Sequence, residues 1–484
     1  MKISELYPNH LWTAFEKICE IPHPSKKEAQ IIEFAKKFGE DLNLETLVDG
    51  VGNVLIRKPA TPGMENRKTV VLQGHLDMVP QKNSDTNHDF EKDSIKAFID
   101  GDWVTAEGTT LGADNGIGVA AAMAVLQSTD VEHGPIEALF TIDEETGMTG
   151  AFELKPNWLK GDILMNLDSE DEGELYIGCA GGMDANVSMT YTEENCPSGY
   201  QAYKLEVKGL KGGHSGMDIP LGRGNSNKLL NRFLTHAIEK HNLRIAEIEG
   251  GSLRNAIPRE SFATIVIPES GITEFEACIT KYEETYKSEL ELVEPELSFK
   301  ALKTELPAKV MEEKIQKNFV NLVYGIPHGV IRMSDAMPGV VETSINLAIV
   351  SVKNGKISIS CLMRSAVDSA KHNLAAQIKS ICDLACADVV FEGEYPGWKP
   401  NAESPILKTM KEVYNNKYGK IPEVKVIHAG LECGILGAAY PNWDMISFGP
   451  TIRFPHSPDE KVKIETVGKF WDFLVETLKN VPVK

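Results

Sequence analysis

A helix whose packing face is Gly-Ile-Gly-Val-Ala-Ala-Ala leaves room for little but close contact with a sheet. The stretch TTLGADNGIGVAAAMAVLQ encodes one, directly after a Gly-rich loop carrying Asp114. Asp114 or Asn115 can cap this helix, and an acidic N-cap is common enough that Asp114 alone says little. Its company says more. His75 and Asp77 lie upstream in GHLDMVP. Glu144 and Glu145 in TIDEETG, Asp168 in NLDSED and His456 in FPHSPDE lie downstream. Each follows a short apolar run that reads as a strand. A site at the carboxyl ends of strands in an α/β sheet is the expected layout.

The rest of the chain supplies such a sheet. Two N-terminal helices, broken at Pro22 and Pro24, precede ETLVDGVGNVLIRKP, which reads as two strands joined at Gly50. KTVVLQGHLDMV, IEALFTIDEETG and GDILMNLDSE are buried strands running into loops. Around Cys179-Ala180-Gly181-Gly182 the pattern turns to the alternation of half-exposed antiparallel strands, as in QAYKLEVKGLKGGHSG. Amphipathic helices such as NKLLNRFLTHAIEKHN interrupt it, and the region reads as two β-α-β units in tandem. Near Trp398 the α/β character returns. The expected architecture is one α/β domain, a mixed sheet flanked by helices, built from residues 1–185 and 399–484. An α+β domain of residues 186–398 is inserted into it.

Composition excludes several functions. With 50 Lys and Arg against 70 Asp and Glu, the net charge of −20 repels phosphate backbones, and no basic stripe offsets it. Nucleic acid is not an expected partner. The N-terminal segment does not read as a signal peptide, and no stretch is apolar for the length of a membrane helix, so no membrane partner is expected. The eight cysteines form no CxxC pair, and Cys382 and Cys386, four apart on an expected helix, read as packing. A reducing, cytoplasmic location is the default expectation. HExxH, Walker A and GxSxG signatures are absent.

The strand-end residues form a ligand set. His75, Asp114, Glu145, Asp168 and His456 offer two imidazoles and three carboxylates, donors suited to zinc, or to cobalt or manganese. Five ligands exceed one tetrahedral zinc. They suit two ions if Asp114 bridges, each ion then taking one histidine, one terminal carboxylate and one oxygen of the bridge. Asp77, two residues after His75, can accept the other ring N–H of that histidine and fix its tautomer. Glu144 is placed to move the proton of the attacking water. Singly these signals are weak: H-x-D recurs by chance, Glu-Glu pairs are mostly solvated, Asp168 suits a turn and His456 a surface loop. Asp143, Glu170, Asp171 and His428 are left as structural or solvated.

GHLDMVP, LGADNGIG, DEETGMTGA and FPHSPDE resemble the motifs of the co-catalytic di-zinc exopeptidases, the family of carboxypeptidase G, aminoacylase-1 and carnosinase. KGGHSGMDIPLGRGN and HAGLECG extend the resemblance along essentially the whole chain. No position of the five ligands or Glu144 departs from the pattern. The resemblance implies two zinc ions, a cis peptide after Asp114, and an inserted domain that acts as a lid. It implies that His214 stabilises the oxyanion, that Asn255 lies near the substrate carbonyl, that Arg364 holds the substrate carboxylate, and that Glu432 lies near the substrate amine. Unblocked dipeptides, including Xaa-His such as β-alanyl-histidine, are the implied substrates, and a homodimer is implied. Deacylation of N-acyl amino acids is the alternative activity. A catalytically dead binding protein would lack a ligand or the base, and here all six positions are filled.

Overall fold

The computed structural model describes residues 2–484. The chain divides into two compact units. One is Met1–Gly178 with Trp398–Val426 and Leu431–Lys484; the other is Cys179–Gly397 with Ile427–Gly430. The strand Gly181–Thr190 is hydrogen-bonded along its length to Lys356–Ser365 and lies wholly in the second unit. The change of unit therefore falls before this strand, where the sequence reading put it inside, after residue 185.

The first unit is an α/β unit with an eight-stranded mixed sheet. Its order is Glu45–Val48, Val54–Lys58, Ile136–Thr141, Val70–His75, Ile163–Asn166, Asp444–Ser447, Glu174–Cys179, Glu423–Ile427. The middle strands are parallel: Val70–His75 pairs with Ile136–Thr141 on one side and Ile163–Asn166 on the other. Every residue of these three strands is buried, as parallel strands covered on both faces require. They end along one edge, so His75, the turn after Thr141 and the turn after Asn166 are neighbours.

The helix Ala113–Gln127 is buried over nearly its whole length. A Cβ at Gly118 would overlap the Leu167 carbonyl, and Asn115 Nδ2 donates to that carbonyl at 2.7 Å. The small residues thus permit the close approach that brings Asp114 to the strand ends. The Asp114–Asn115 peptide is cis. Neither residue caps the helix: both have non-helical backbones, and no side-chain cap is made. A separate four-stranded antiparallel sheet holds Ile452–Arg453 and Lys461–Lys463 as a pair, and His456 lies in the loop between them with φ at 58°.

The second unit is α+β, built on a nine-stranded antiparallel sheet with two small two-stranded sheets beside it. Tyr200–Lys208, the helix Ser226–His241, Arg244–Gly250, Ser261–Pro268, the helix Ile272–Glu289 and Ser298–Thr304 form a βαββαβ module. Gly181–Thr190, the helix Glu313–Gly325, Val341–Lys353, Lys356–Ser365, the helix Asp368–Ala385 and Asp388–Tyr395 form another. The strands of the two modules join into one sheet where Ile248 pairs with Val352. The modules are therefore nested, one inserted after the first strand of the other, and not in tandem. Sequence periodicity shows local elements but not which distant strand each pairs with, so nesting was invisible there.

Candidate metal centre

His75 ends its strand buried, and its ring nitrogens divide their work. Nδ1 lies 3.0 Å from the backbone carbonyl of Asp77. That carbonyl accepts the Nδ1 proton, which leaves the Nε2 lone pair facing the site. Nε2 is 3.2 Å from Asp114 Oδ1 and 3.4 Å from Asp168 Oδ1. The carboxylate of Asp77 stands farther from Nδ1, at 3.4 Å. It accepts instead the N–H of Glu144 at 3.0 Å, the N–H of Glu145 at 3.3 Å and the Ser25 hydroxyl at 2.7 Å. Asp77 thus orients the histidine through its backbone and the Glu144–Glu145 turn through its side chain. That turn is a helical one, Glu144–Gly147, and not the extended segment the sequence pattern allows.

On the other side, His456 Nε2 is 2.9 Å from Glu145 Oε2 and 3.4 Å from Asp114 Oδ2. The two oxygens of Asp114 therefore face different histidines. Ligand atoms of His75, Asp114 and Glu145 lie within 4.8 Å of one another. Two N or O ligands on one tetrahedral zinc stand about 3.4 Å apart, given its bond lengths. The separations here lie close to that value. Glu145 Oε1 and Asp168 Oδ1 are buried without a hydrogen-bond partner, which in a finished site calls for a cation.

The electrostatics agree. Burial works against a charged His75 ring, yet the charge of Asp168 and the contacts to Asp114 raise its pKa well above the ordinary value. Bonds to Asp114 and Glu145 raise His456 to about 11. Burial pushes Asp168 up to about 7 and Glu144 well above the usual carboxylate range. Two imidazoles are too little positive charge for so many carboxylates. Divalent cations would supply the remainder.

Glu460 was not singled out in the sequence, though FPHSPDE contains it. It is almost fully buried, and its carboxylate accepts the N–H groups of Leu111 at 2.7 Å, Gly112 at 3.0 Å, Ala113 at 2.8 Å and Asp114 at 3.2 Å. The helix start that Asp114 and Asn115 leave uncapped is thus capped from the loop that carries His456. Burial pushes the Glu460 pKa up to about 7, against the pull of these N–H groups.

Glu432 opens the helix Glu432–Ala439 and is fully buried. Its Oε2 accepts from Gln73 Nε2 at 2.6 Å and the Thr141 hydroxyl at 2.8 Å, while Oε1 has no partner. Glu170, set aside in the sequence as structural or solvated, is half-buried. Burial and the charges of Asp114 and Asp168 raise it to about 8, and no described residue bonds its carboxylate.

The second unit holds a cluster of its own. His214 Nδ1 accepts the N–H groups of Gly216 at 3.2 Å and Met217 at 3.0 Å, so the ring proton belongs on Nε2. Arg364 is buried at 5% exposure; its Nε donates to Ser215 Oγ and one terminal nitrogen to the Tyr395 hydroxyl, each at 3.2 Å. Its other terminal nitrogen lies 3.4 Å from His214 Nε2. Among the described residues no carboxylate pairs with Arg364. His428, also set aside in the sequence, is buried here with Nε2 2.7 Å from the Ser344 hydroxyl and Nδ1 unpartnered. Burial, then Arg364 and His214, lower its pKa to about 3. The residue Asn255 is exposed, and its backbone carbonyl accepts the Ser215 N–H at 2.8 Å.

A cation-ready histidine and carboxylates at the ends of parallel strands, with His456 brought in from a separate loop and an uncommitted carboxyl beside them, are the groups a metal-dependent hydrolase requires. Residues 71–480 match the pattern of Peptidase family M20/M25/M40, and the chain belongs to that family. It is 50% identical over 483 residues to the cytosol non-specific dipeptidase of Escherichia coli K12, covering 100% of both chains. Among solved structures, the aminoacylhistidine dipeptidase of Vibrio alginolyticus superposes with a TM-score of 0.97 at 51% identity, covering 100% of this chain and 99% of that one. The aminopeptidase PepT of Bacillus cereus shares the fold at a TM-score of 0.58 and 16% identity, covering 98% of this chain and 99% of its own.

Proposed function

We propose that this chain is a zinc-dependent dipeptidase of the cytoplasm that cleaves unblocked dipeptides, including Xaa-His such as β-alanyl-histidine. The observation that carries the substrate reading is Arg364: a buried guanidinium with no carboxylate of its own needs an anion, and a substrate carboxylate supplies one. The dipeptidase relatives in Escherichia coli and Vibrio alginolyticus support the same reading.

His75 and Asp168 would hold one divalent ion and His456 and Glu145 a second, with Asp114, which faces both histidines, contributing to both. Bound there, they would polarise the scissile carbonyl and acidify the attacking water. Glu144 takes the proton of that water and passes it to the leaving nitrogen. Asp77 holds both His75 and the Glu144 turn in place. His214 offers its Nε2 proton to the oxyanion, Arg364 binds the terminal carboxylate and Asn255 lies near the carbonyl. The inserted unit acts as the lid. For the substrate ammonium, Glu432 and Glu170 are the candidates, and the unbonded carboxylate of Glu170 favours a free amine over an N-acyl group. We propose a homodimer, which sedimentation as a monomer alone would exclude.

The test compares β-alanyl-histidine with its C-amidated and N-acetylated forms. Loss of kcat/KM by at least 10-fold on blocking either end supports the reading. Equal or faster cleavage of the N-acetylated form would favour the deacylase.

A further inference from the structure

We propose that His236, His241 and Cys278 in the second unit form a separate site for one zinc-class divalent cation. The ligand atoms of all three lie within 4.8 Å of one another. His236 lies in the helix Ser226–His241, and His241 is its last residue. Five positions apart, the two would face different sides of a continuing helix. At the helix terminus the His241 ring nevertheless lies on the His236 side, the two ring centroids 6.1 Å apart. Cys278 comes from the neighbouring helix Ile272–Glu289. Among the described residues, none of the three side chains has a hydrogen-bond partner for its nitrogen or sulfur.

The surroundings favour ligation. All three residues are half-buried, within reach of both protein and solvent. Tyr282 stands 5.5 Å from His236 and Phe275 6.0 Å from His241, ring centre to ring centre. Such apolar walls strengthen a cation–thiolate bond by excluding water. Two imidazoles and a thiolate are a borderline-soft set. They select zinc or copper over magnesium, calcium or manganese, unlike the carboxylate-rich strand-end set. On a tetrahedral zinc the donors would close to about 3.4–3.6 Å, with a water in the fourth position. Small rotations of half-exposed side chains cover that difference. The bound ion would tie the two helices together, and because burial keeps the Cys278 thiol protonated, binding would release a proton.

The probe is cobalt(II), added to the full-length protein after a chelator has removed zinc, which would outcompete cobalt for these donors. A sulfur-to-cobalt charge-transfer band in the near ultraviolet reports cysteine ligation only, and the strand-end site has no sulfur. The expected band reaches the intensity of one thiolate-bound cobalt per chain, persists when the exposed Cys386 is changed by Cys386→Ser, and is lost in Cys278→Ser. His236→Ala should weaken it at least 10-fold. Dipeptide hydrolysis by zinc-loaded Cys278→Ser should stay unchanged. If that variant does not fold, the wild-type protein still decides: zinc should slow maleimide labelling of Cys278 at least 10-fold. No band in the wild type, a full band in Cys278→Ser, or equal labelling rates with and without zinc would overturn the proposal.

Discussion

Glu460 Oε1 lies 3.2 Å from the backbone nitrogen of Asp114. The loop bearing His456 thereby grips the loop bearing Asp114, and the residue expected to join two cations is held by its backbone while its side chain faces both histidines. Glu460→Gln replaces one acceptor oxygen with an NH2 group that opposes backbone N–H donors. Cation affinity is expected to fall by about 10- to 100-fold, the cost of disturbing groups behind a metal ligand. Calorimetric zinc titration measures it. Unchanged affinity in a folded variant would leave Glu460 as a helix cap only.

Glu144 is expected to act on protons and not on cations. Glu144→Ala should lower kcat by about 10²–10⁴-fold, the usual worth of a general acid–base group. Zinc content by elemental analysis should match the wild type. A variant that lost its zinc as well would place Glu144 among the ligands.

Arg364→Ala removes the buried guanidinium. Charge-assisted hydrogen bonds of this kind predict a fall in kcat/KM of roughly 10- to 100-fold for free-carboxylate dipeptides. The same change should cost little on a C-amidated substrate. Equal losses on both would show that Arg364 supports structure instead, through Ser215 and Tyr395.

Asp77→Asn keeps the backbone carbonyl that fixes the His75 tautomer but weakens the acceptor of the Glu144 and Glu145 N–H groups. The expectation is a lower kcat with zinc still bound, because the turn carrying the base loosens first. Loss of zinc in this variant would show that the 3.4 Å contact to His75 matters more.

Much of the first unit was legible because its chemistry is local. A buried apolar run followed by His75, Glu145 or Asp168 names both a strand and the residue at its end. The helix after Asp114 was legible from its small residues, since only a close approach to backbone such as Leu167 needs them. What depends on distant partners was not legible. Glu460 is one acid among 70, and nothing nearby in sequence marks the four N–H groups it accepts. His428 read as structural or solvated, and Arg364 stood out only through the family resemblance; their burial beside Ser344 and Tyr395 depends on strands distant in sequence. The nested βαββαβ modules have the same cause: each strand announced itself, but its neighbour could lie 200 residues away, as Asp388 does from Ser188 (388 − 188).

The most direct test strips the protein with a chelator and follows free histidine released from β-alanyl-histidine as zinc is returned. Using Cys278→Ser keeps the proposed thiolate site out of the count. The account predicts no hydrolysis after stripping, recovery that saturates at two zinc ions per chain, and no recovery in Asp114→Ala. Full hydrolysis by the stripped protein, or normal recovery in Asp114→Ala, would contradict it.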